Sequence, residues 1–161
     1  MTDLEVMQAA LAEARQAAEA GEVPIGAVMV YQGVIIAHAQ NCVIRHVDPT
    51  AHAEILVLRT AAKALANYRL AGCSLFVTLE PCAMCAGAMT HARIDRLVFA
   101  AADPKAGACG SVLSVLNHPQ LNHTITVEQG ILAEESGDLL RSFFRERRNR
   151  PGAPLQIERG E

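Results

Sequence analysis

The stretch Ser74–Ala101, SLFVTLEPCAMCAGAMTHARIDRLVFAA, decides how the chain folds. Ser74 to Leu79 is a near-continuous apolar run of strand length, the pattern of a strand buried on both faces. Pro81 suits the first turn of a helix, which the spacing predicts to reach about His91. A second short apolar run, Arg96 to Ala101, then reads as another strand. Strand, helix and strand within about thirty residues make a β-α-β unit with parallel strands and a right-handed crossover.

Working outward toward the N-terminus, Gly26–Tyr31 and Val34–Gln40 are β-rich runs joined by a tight Gln32-Gly33 turn, an antiparallel hairpin. Asp48-Pro49 has the form of an N-cap and first helical residue, so a helix is expected to run on to about Ala66. Thr2-Asp3-Leu4-Glu5 matches a capping box opening a helix that ends near Gly21, with Met7, Ala10, Leu11, Ala14, Ala17 and Ala18 on its apolar face. Toward the C-terminus come a glycine-rich loop, Asp103–Gly110, and a short helix, Ser111–Leu116. A strand at Thr124–Glu128 and a helix from about Leu132 to Arg148 follow. This order predicts an α/β fold in three layers, a five-stranded mixed sheet flanked by helices. No linker divides the chain, so residues 1–150 are expected to form one domain and 151–161 a C-terminal tail.

At 161 residues a core can bury roughly two thirds of the unfolded surface without disulfide staples. Met1 to Ala20 lacks the basic start of a signal peptide, and apolar runs such as Ala27–Val30 are far too short to span a bilayer. The expectation is a cytoplasmic protein, with no membrane partner, whose five cysteines stay reduced for metal or packing roles. The net charge of −3 is unevenly spread. Residues 1–140 carry eight basic and fourteen acidic side chains, whereas residues 141–161 carry six basic and three acidic. Arg141, Arg145, Arg147, Arg148 and Arg150 fit either local phosphate contact or a solvated run that suits a helix C-terminus.

Two segments carry chemistry: His52-Ala53-Glu54 and Pro81-Cys82-Ala83-Met84-Cys85. Cys82 and Cys85 are three apart at a helix start, where free N–H groups favour thiolates. With one imidazole they supply three ligands, and a catalytic zinc keeps its fourth position open to water. Two thiolates neutralise the metal's formal charge, so a nearby base is useful, and Glu54 is the candidate. Residues i and i+2 lie roughly 200° apart on an ideal helix, so His52 and Glu54 cooperate only if His52 sits at the helix start. Two alternatives stand beside this reading. One is a closed structural zinc with Cys73, Cys109 or His91 as fourth ligand; the other is no metal, with buried thiols and a core histidine.

The H-x-E and P-C-x-x-C pair is the signature of zinc nucleobase deaminases as a class. The resemblance extends through Glu22–Val28, Asp48–Glu54, Asn67–Leu70, Thr78–Met89, Asn117-His118-Pro119, Asn122-His123 and Phe143-Phe144-Arg145. Over nearly its whole length the chain resembles the bacterial tRNA-specific adenosine deaminases, of the cytidine deaminase-like superfamily. The resemblance implies that His52, Cys82 and Cys85 hold one Zn2+ per subunit. Glu54 is then the catalytic residue, taking a proton from water and passing it toward the purine, as C6 gains oxygen and ammonia leaves. It further implies substrate contacts from Asn41, Asp103, Lys105, Phe144 and Arg145, the anticodon loop of a tRNA (wobble adenosine of an arginine tRNA) as partner, and a homodimer. A base must leave its stack to react, which favours a single-stranded loop. On residue type alone Asn41 reads as a loop cap, Asp103 and Lys105 as exposed turn charges, and at least one of Phe143 and Phe144 as core. A small-molecule nucleobase or nucleoside deaminase and a non-catalytic zinc-stabilised RNA-binding module remain the competing functions.

Overall fold

The computed structural model describes residues 1–149; Arg150 and the expected tail, 151–161, lie outside them. The chain runs α1 (Asp3–Glu19), β1 (Gly26–Tyr31), β2 (Val34–Gln40), α2 (Ala53–Leu65), β3 (Cys73–Leu79), α3 (Ala83–Ala92), β4 (Arg96–Ala101), β5 (Thr126–Gln129) and α4 (Ala133–Arg148). The strands form one mixed sheet in the order β2-β1-β3-β4-β5. β1 is antiparallel to both β2 and β3, while β3, β4 and β5 are mutually parallel. The three-layer fold expected from the sequence is the one observed.

Alternation along each strand feeds two cores. On one face Ala27, Met29, Leu75, Val77, Leu97 and Phe99 pack with Ile55, Val57 and Leu58 of α2 and Met89 of α3. On the other, Val28, Phe76, Val98 and Ala100 meet Val6, Met7 and Ala10 of α1. The capping box forms as its sequence demands: Thr2 Oγ1 accepts from Glu5 N–H and the Glu5 carboxylate accepts from Thr2 N–H. Losing such a cap costs about 1 kcal/mol. α1 lies so close to β1 that a β-carbon at Gly26 would overlap the Ala10 carbonyl oxygen. At the hairpin turn Gln32 and Gly33 have φ of 51° and 77°, as a primed turn requires.

Four local expectations are corrected. Asp48-Pro49 does not open α2. Asp48 Oδ1 instead accepts from the N–H and the hydroxyl of Thr50, closing a turn of its own, and α2 starts at Ala53. α3 likewise starts at Ala83 rather than Pro81, whose carbonyl accepts from Ala108 N–H. No helix forms over Ser111–Leu116. Glu80 takes the Ser111 N–H, the Gly107 carbonyl takes those of Val112 and Leu113, and Cys109 bridges Ser114, so the segment is a turn. β5 starts two residues later than expected because the Asn117 side chain brackets Ile125, donating to its carbonyl and accepting from its N–H.

Candidate active site

Two helix starts meet at the site. His52 and Cys82 are the N-caps of α2 and α3, both with extended backbone (φ −74°, ψ 151° and φ −76°, ψ 176°) and neither making a side-chain capping bond. A residue at the N-cap has non-helical backbone angles, so its side chain is not bound by the angular spacing of the helix. This answers the i, i+2 difficulty: His52 precedes the helical backbone and Glu54 sits in its first turn. Cys85 is one turn into α3 and fully buried. His52 Nδ1 lies 3.4 Å from Cys85 Sγ and 3.6 Å from Cys82 Sγ. One ligand atom from each of the three residues falls within 4.8 Å of the others, a group able to hold a metal ion.

Among the described residues no fourth histidine, cysteine or carboxylate joins that group, so the closed arrangement with Cys73, Cys109 or His91 is not what forms. Cys73 is instead wholly inside the β3 core, where burial raises its thiol pKa.

The titratable groups of the cluster perturb one another strongly. The Cys85 thiol and then His52 hydrogen-bond Cys82, holding it down to about 3. That bond with Cys82 and then burial push Cys85 well above the usual thiol range. The contact with Cys82 raises His52. Glu54 is 4% exposed, and burial pushes its carboxyl up to about 7. Its Oε1 is fully enclosed and has no hydrogen-bond partner, the one such side-chain atom among the described residues. Buried polar groups are nearly always satisfied, so an orphaned oxygen beside a ligand cluster is a candidate functional atom.

Asn41 is buried, and its Oδ1 accepts from Ala53 N–H at 2.8 Å, supplying from a distance the capping bond His52 does not make. It thereby sits against the peptide joining His52 to Glu54.

These features can be set beside known proteins. The model of the MafB19-like deaminase family matches residues 1–148. The chain is 48% identical over 147 residues to the tRNA-specific adenosine deaminase of Bacillus subtilis, covering 91% of each. The chain belongs to the tRNA-specific adenosine deaminase family. Among solved structures, a tRNA:A34 deaminase studied for A-to-I editing at the wobble position superposes on this deaminase with a TM-score of 0.82. That pair is 48% identical, over 84% of this chain and 99% of that one. The guanine deaminase of Nitrosomonas europaea gives 0.77 at 27% identity, over 88% and 84%.

The other anticipated residues of the deaminase gather elsewhere. At the C-terminal ends of β3 and β4, where ligands of such sheets commonly lie, a groove of about 990 Å³ opens against α4. Asp103 and Lys105 form one bank and Arg141, Phe144 and Arg145 the other. Phe144 is 42% exposed, whereas half-buried Phe143 meets it edge-on at 5.5 Å and carries Arg147 over its ring. Phe143 lines a separate cavity of about 640 Å³ beside the end of α1.

Sequence reasoning missed two buried carboxylates of the deaminase. Glu22, 1% exposed, accepts from the N–H groups of Ile44 and Arg45 and from Arg45 Nε. Arg45 in turn donates to the Asn41 carbonyl, so the pair braces the loop that carries Asn41. Glu80 does the same for the loop after β4: it accepts from the N–H groups of Asp103, Cys109 and Ser111 and from the Ser111 hydroxyl. Burial opposes its charge, yet the Ser111 hydroxyl and these N–H groups outweigh that and hold its carboxyl below the usual range. The one available signal was position: each glutamate adjoins a Val-Pro or Pro step at a strand end, Glu22-Val23-Pro24 and Glu80-Pro81.

Proposed function

We propose that the protein is a zinc-dependent deaminase that converts adenosine to inosine at the wobble position of a tRNA anticodon loop, with an arginine tRNA as substrate. One observation carries this reading: a three-ligand cluster beside a buried carboxylate whose Oε1 has no protein partner. Zinc–sulfur bonds of about 2.3 Å and zinc–nitrogen bonds of about 2.0 Å at tetrahedral angles put nitrogen and sulfur about 3.5 Å apart. His52 Nδ1 lies 3.4 and 3.6 Å from the two sulfurs, so the residues present fit that ion. His52, Cys82 and Cys85 would hold one zinc per subunit. Bound there, zinc supplies a Lewis acid that makes water ionise near neutral pH.

The chain's own residues do the rest. Glu54 takes a proton from the attacking water, in a site that favours the protonated carboxyl, and gives it to the purine ring nitrogen next to C6 as the C6–oxygen bond forms. It then carries the proton remaining on the added hydroxyl to the C6 amino group, so that the C6–nitrogen bond breaks and ammonia departs. Asn41, already fixed through Oδ1, has its amide group left to read the base. Asp103, Lys105, Phe144 and Arg145 bind the RNA around it, Phe144 by stacking and the cations by phosphate contact. Residues 1–150 act as a single domain, in a cytoplasmic homodimer. No helix among the described residues is long and apolar enough to cross a membrane.

The test is mass spectrometry of tRNA fragments after incubation with the purified protein, with metal content measured on the same sample. Inosine at the wobble position and about one zinc per subunit are expected, with both lost on chelation and regained with zinc. Turnover of free guanine or nucleosides with untouched tRNA would instead favour a small-molecule deaminase, the reading that the likeness to a guanine deaminase keeps in play. A non-catalytic RNA module has no use for the orphaned Glu54 oxygen.

A further inference from the structure

Glu80 takes no part in the chemistry above, yet it is the most heavily hydrogen-bonded carboxylate beside the site. It ends the β3 turn that leads into Cys82 and is 2% exposed. Its Oε1 accepts from Asp103 N–H at 3.0 Å and from the Ser111 hydroxyl at 2.5 Å. Its Oε2 accepts from Cys109 N–H at 3.0 Å and Ser111 N–H at 3.1 Å. The two ends of the Asp103–Ser111 loop are thus pinned to one carboxylate. The loop closes around it tightly enough that a β-carbon at Gly107 would land on the Glu80 carboxyl carbon and Oε2. At its near end the loop holds its own turn, with Asp103 Oδ1 accepting from the N–H groups of Lys105 and Ala106. That turn is a rigid piece whose placement depends on the anchor, and it forms the bank of the groove opposite Arg141, Phe144 and Arg145.

We propose that Glu80 is a positioning residue for the polynucleotide: its carboxylate fixes the Asp103–Ser111 loop so that Asp103 and Lys105 stand as a preformed wall facing α4. The inference rests on the reading of that groove as the RNA cleft. Four donors converge on two oxygens, and only a carboxylate offers acceptors alone. A glutamine has the same shape but keeps one oxygen and turns an NH2 toward N–H groups, leaving buried donors unpaired. The loop's internal turn survives that change while its anchor does not. The RNA must then order the wall as it binds, which weakens association without altering the groups that move protons.

The experiment is steady-state kinetics of the metal-loaded full chain on tRNA, comparing Glu80→Gln, Gly107→Ala and Arg145→Gln with the parent, with zinc content measured on each. For both Glu80→Gln and Gly107→Ala, KM is expected to rise about tenfold with kcat within about threefold and zinc retained. Should Glu80→Gln fail to fold, Ser111→Ala removes one of the four donors and is expected to raise KM by about threefold. A fall in kcat at unchanged KM, or loss of zinc, would overturn the positioning role and make Glu80 a support of the metal turn. Arg145→Gln separates the two ideas. If it raises KM while Glu80→Gln does not, the groove reading stands and the Glu80 inference fails. If it leaves KM unchanged, the groove reading itself is wrong.

Discussion

The starts of α2 and α3 and the outer face of α4 both collect ionisable side chains, and they use them in opposite ways. At and around the helix starts the groups are buried or half-buried: Glu54 is 4% exposed, Cys85 is fully enclosed, His52 and Cys82 are half-buried, and the neighbouring Glu22 and Glu80 are held by backbone N–H groups. On α4 the only buried residue is Ser136, which donates to the Thr78 carbonyl. Arg141, Arg145 and Arg148 stand in solvent, Arg141 paired with Asp138, while half-buried Arg147 lies over Phe143. Buried charges interact at low effective dielectric and are little screened, so single residues decide the outcome. Exposed charges are screened within about 10 Å at ordinary salt and act by number. On the proposed function the site thus divides into a small region for chemistry and a larger one for gathering a polyanion.

The sharpest way to break that division is at Glu54. Glu54→Ala is expected to retain zinc and fold and to lose at least about a thousandfold in inosine formation, the scale of a missing general acid–base group. Quantified inosine in digested tRNA, with metal content alongside, checks it. A variant that deaminates within tenfold of the parent would mean that the orphaned oxygen has no part in proton transfer.

How much could be read beforehand follows the same division. The short apolar and β-rich runs of β1 to β4, the capping box at Thr2 and the two ligand-bearing segments are local patterns, and each stands within one residue or so of its expected place. What failed was wherever a distant group takes over a local role. Asp48-Pro49 is a sound helix start in isolation, but Asn41, twelve residues earlier in the chain than Ala53, caps α2 instead. Ser111–Leu116 has no local reason to avoid a helix until Glu80, far upstream, claims the Ser111 N–H and hydroxyl. Residue types give no hint that Glu22 and Glu80 are buried, because burial of a carboxylate is set by donors that tertiary structure delivers.

The exposed region sharpens the comparison through salt. If the cleft contacts about four phosphates, log affinity for an anticodon stem-loop should fall against log salt with a slope near −3. Arg141→Gln with Arg145→Gln should flatten that slope by about 1.4 and weaken binding about tenfold at low salt. At saturating RNA kcat should change little. Fluorescence anisotropy titrations at several salt concentrations read both quantities. An unchanged slope would remove α4 from the RNA contact, whatever the affinity does.

The smallest effect is expected where burial is intermediate, at Arg96, which joins Asp3 of α1 to Glu128 of β5 and stacks 5.5 Å above the Phe76 ring. The Arg96 hydrogen bond holds the Asp3 carboxyl below its ordinary value of 3.8, against a smaller opposing effect of burial. A carboxyl depressed in the folded state stabilises it above the unfolded pKa, and that contribution disappears as pH falls through the folded value. Asp3 is 42% exposed, so solvent screening leaves only about 0.5 kcal/mol of it at neutral pH. Asp3→Asn keeps the shape of the first turn of α1 and should lower the urea midpoint slightly at pH 7, with the two proteins converging as the pH falls below the ordinary carboxylate range. Raising the salt should shrink the pH 7 gap, because half-exposed charges are screened where those at the helix starts are not. If the gap instead persists unchanged in acid, the Asp3 side chain contributes by packing, and worth would not track burial as the contrast between the helix starts and α4 requires.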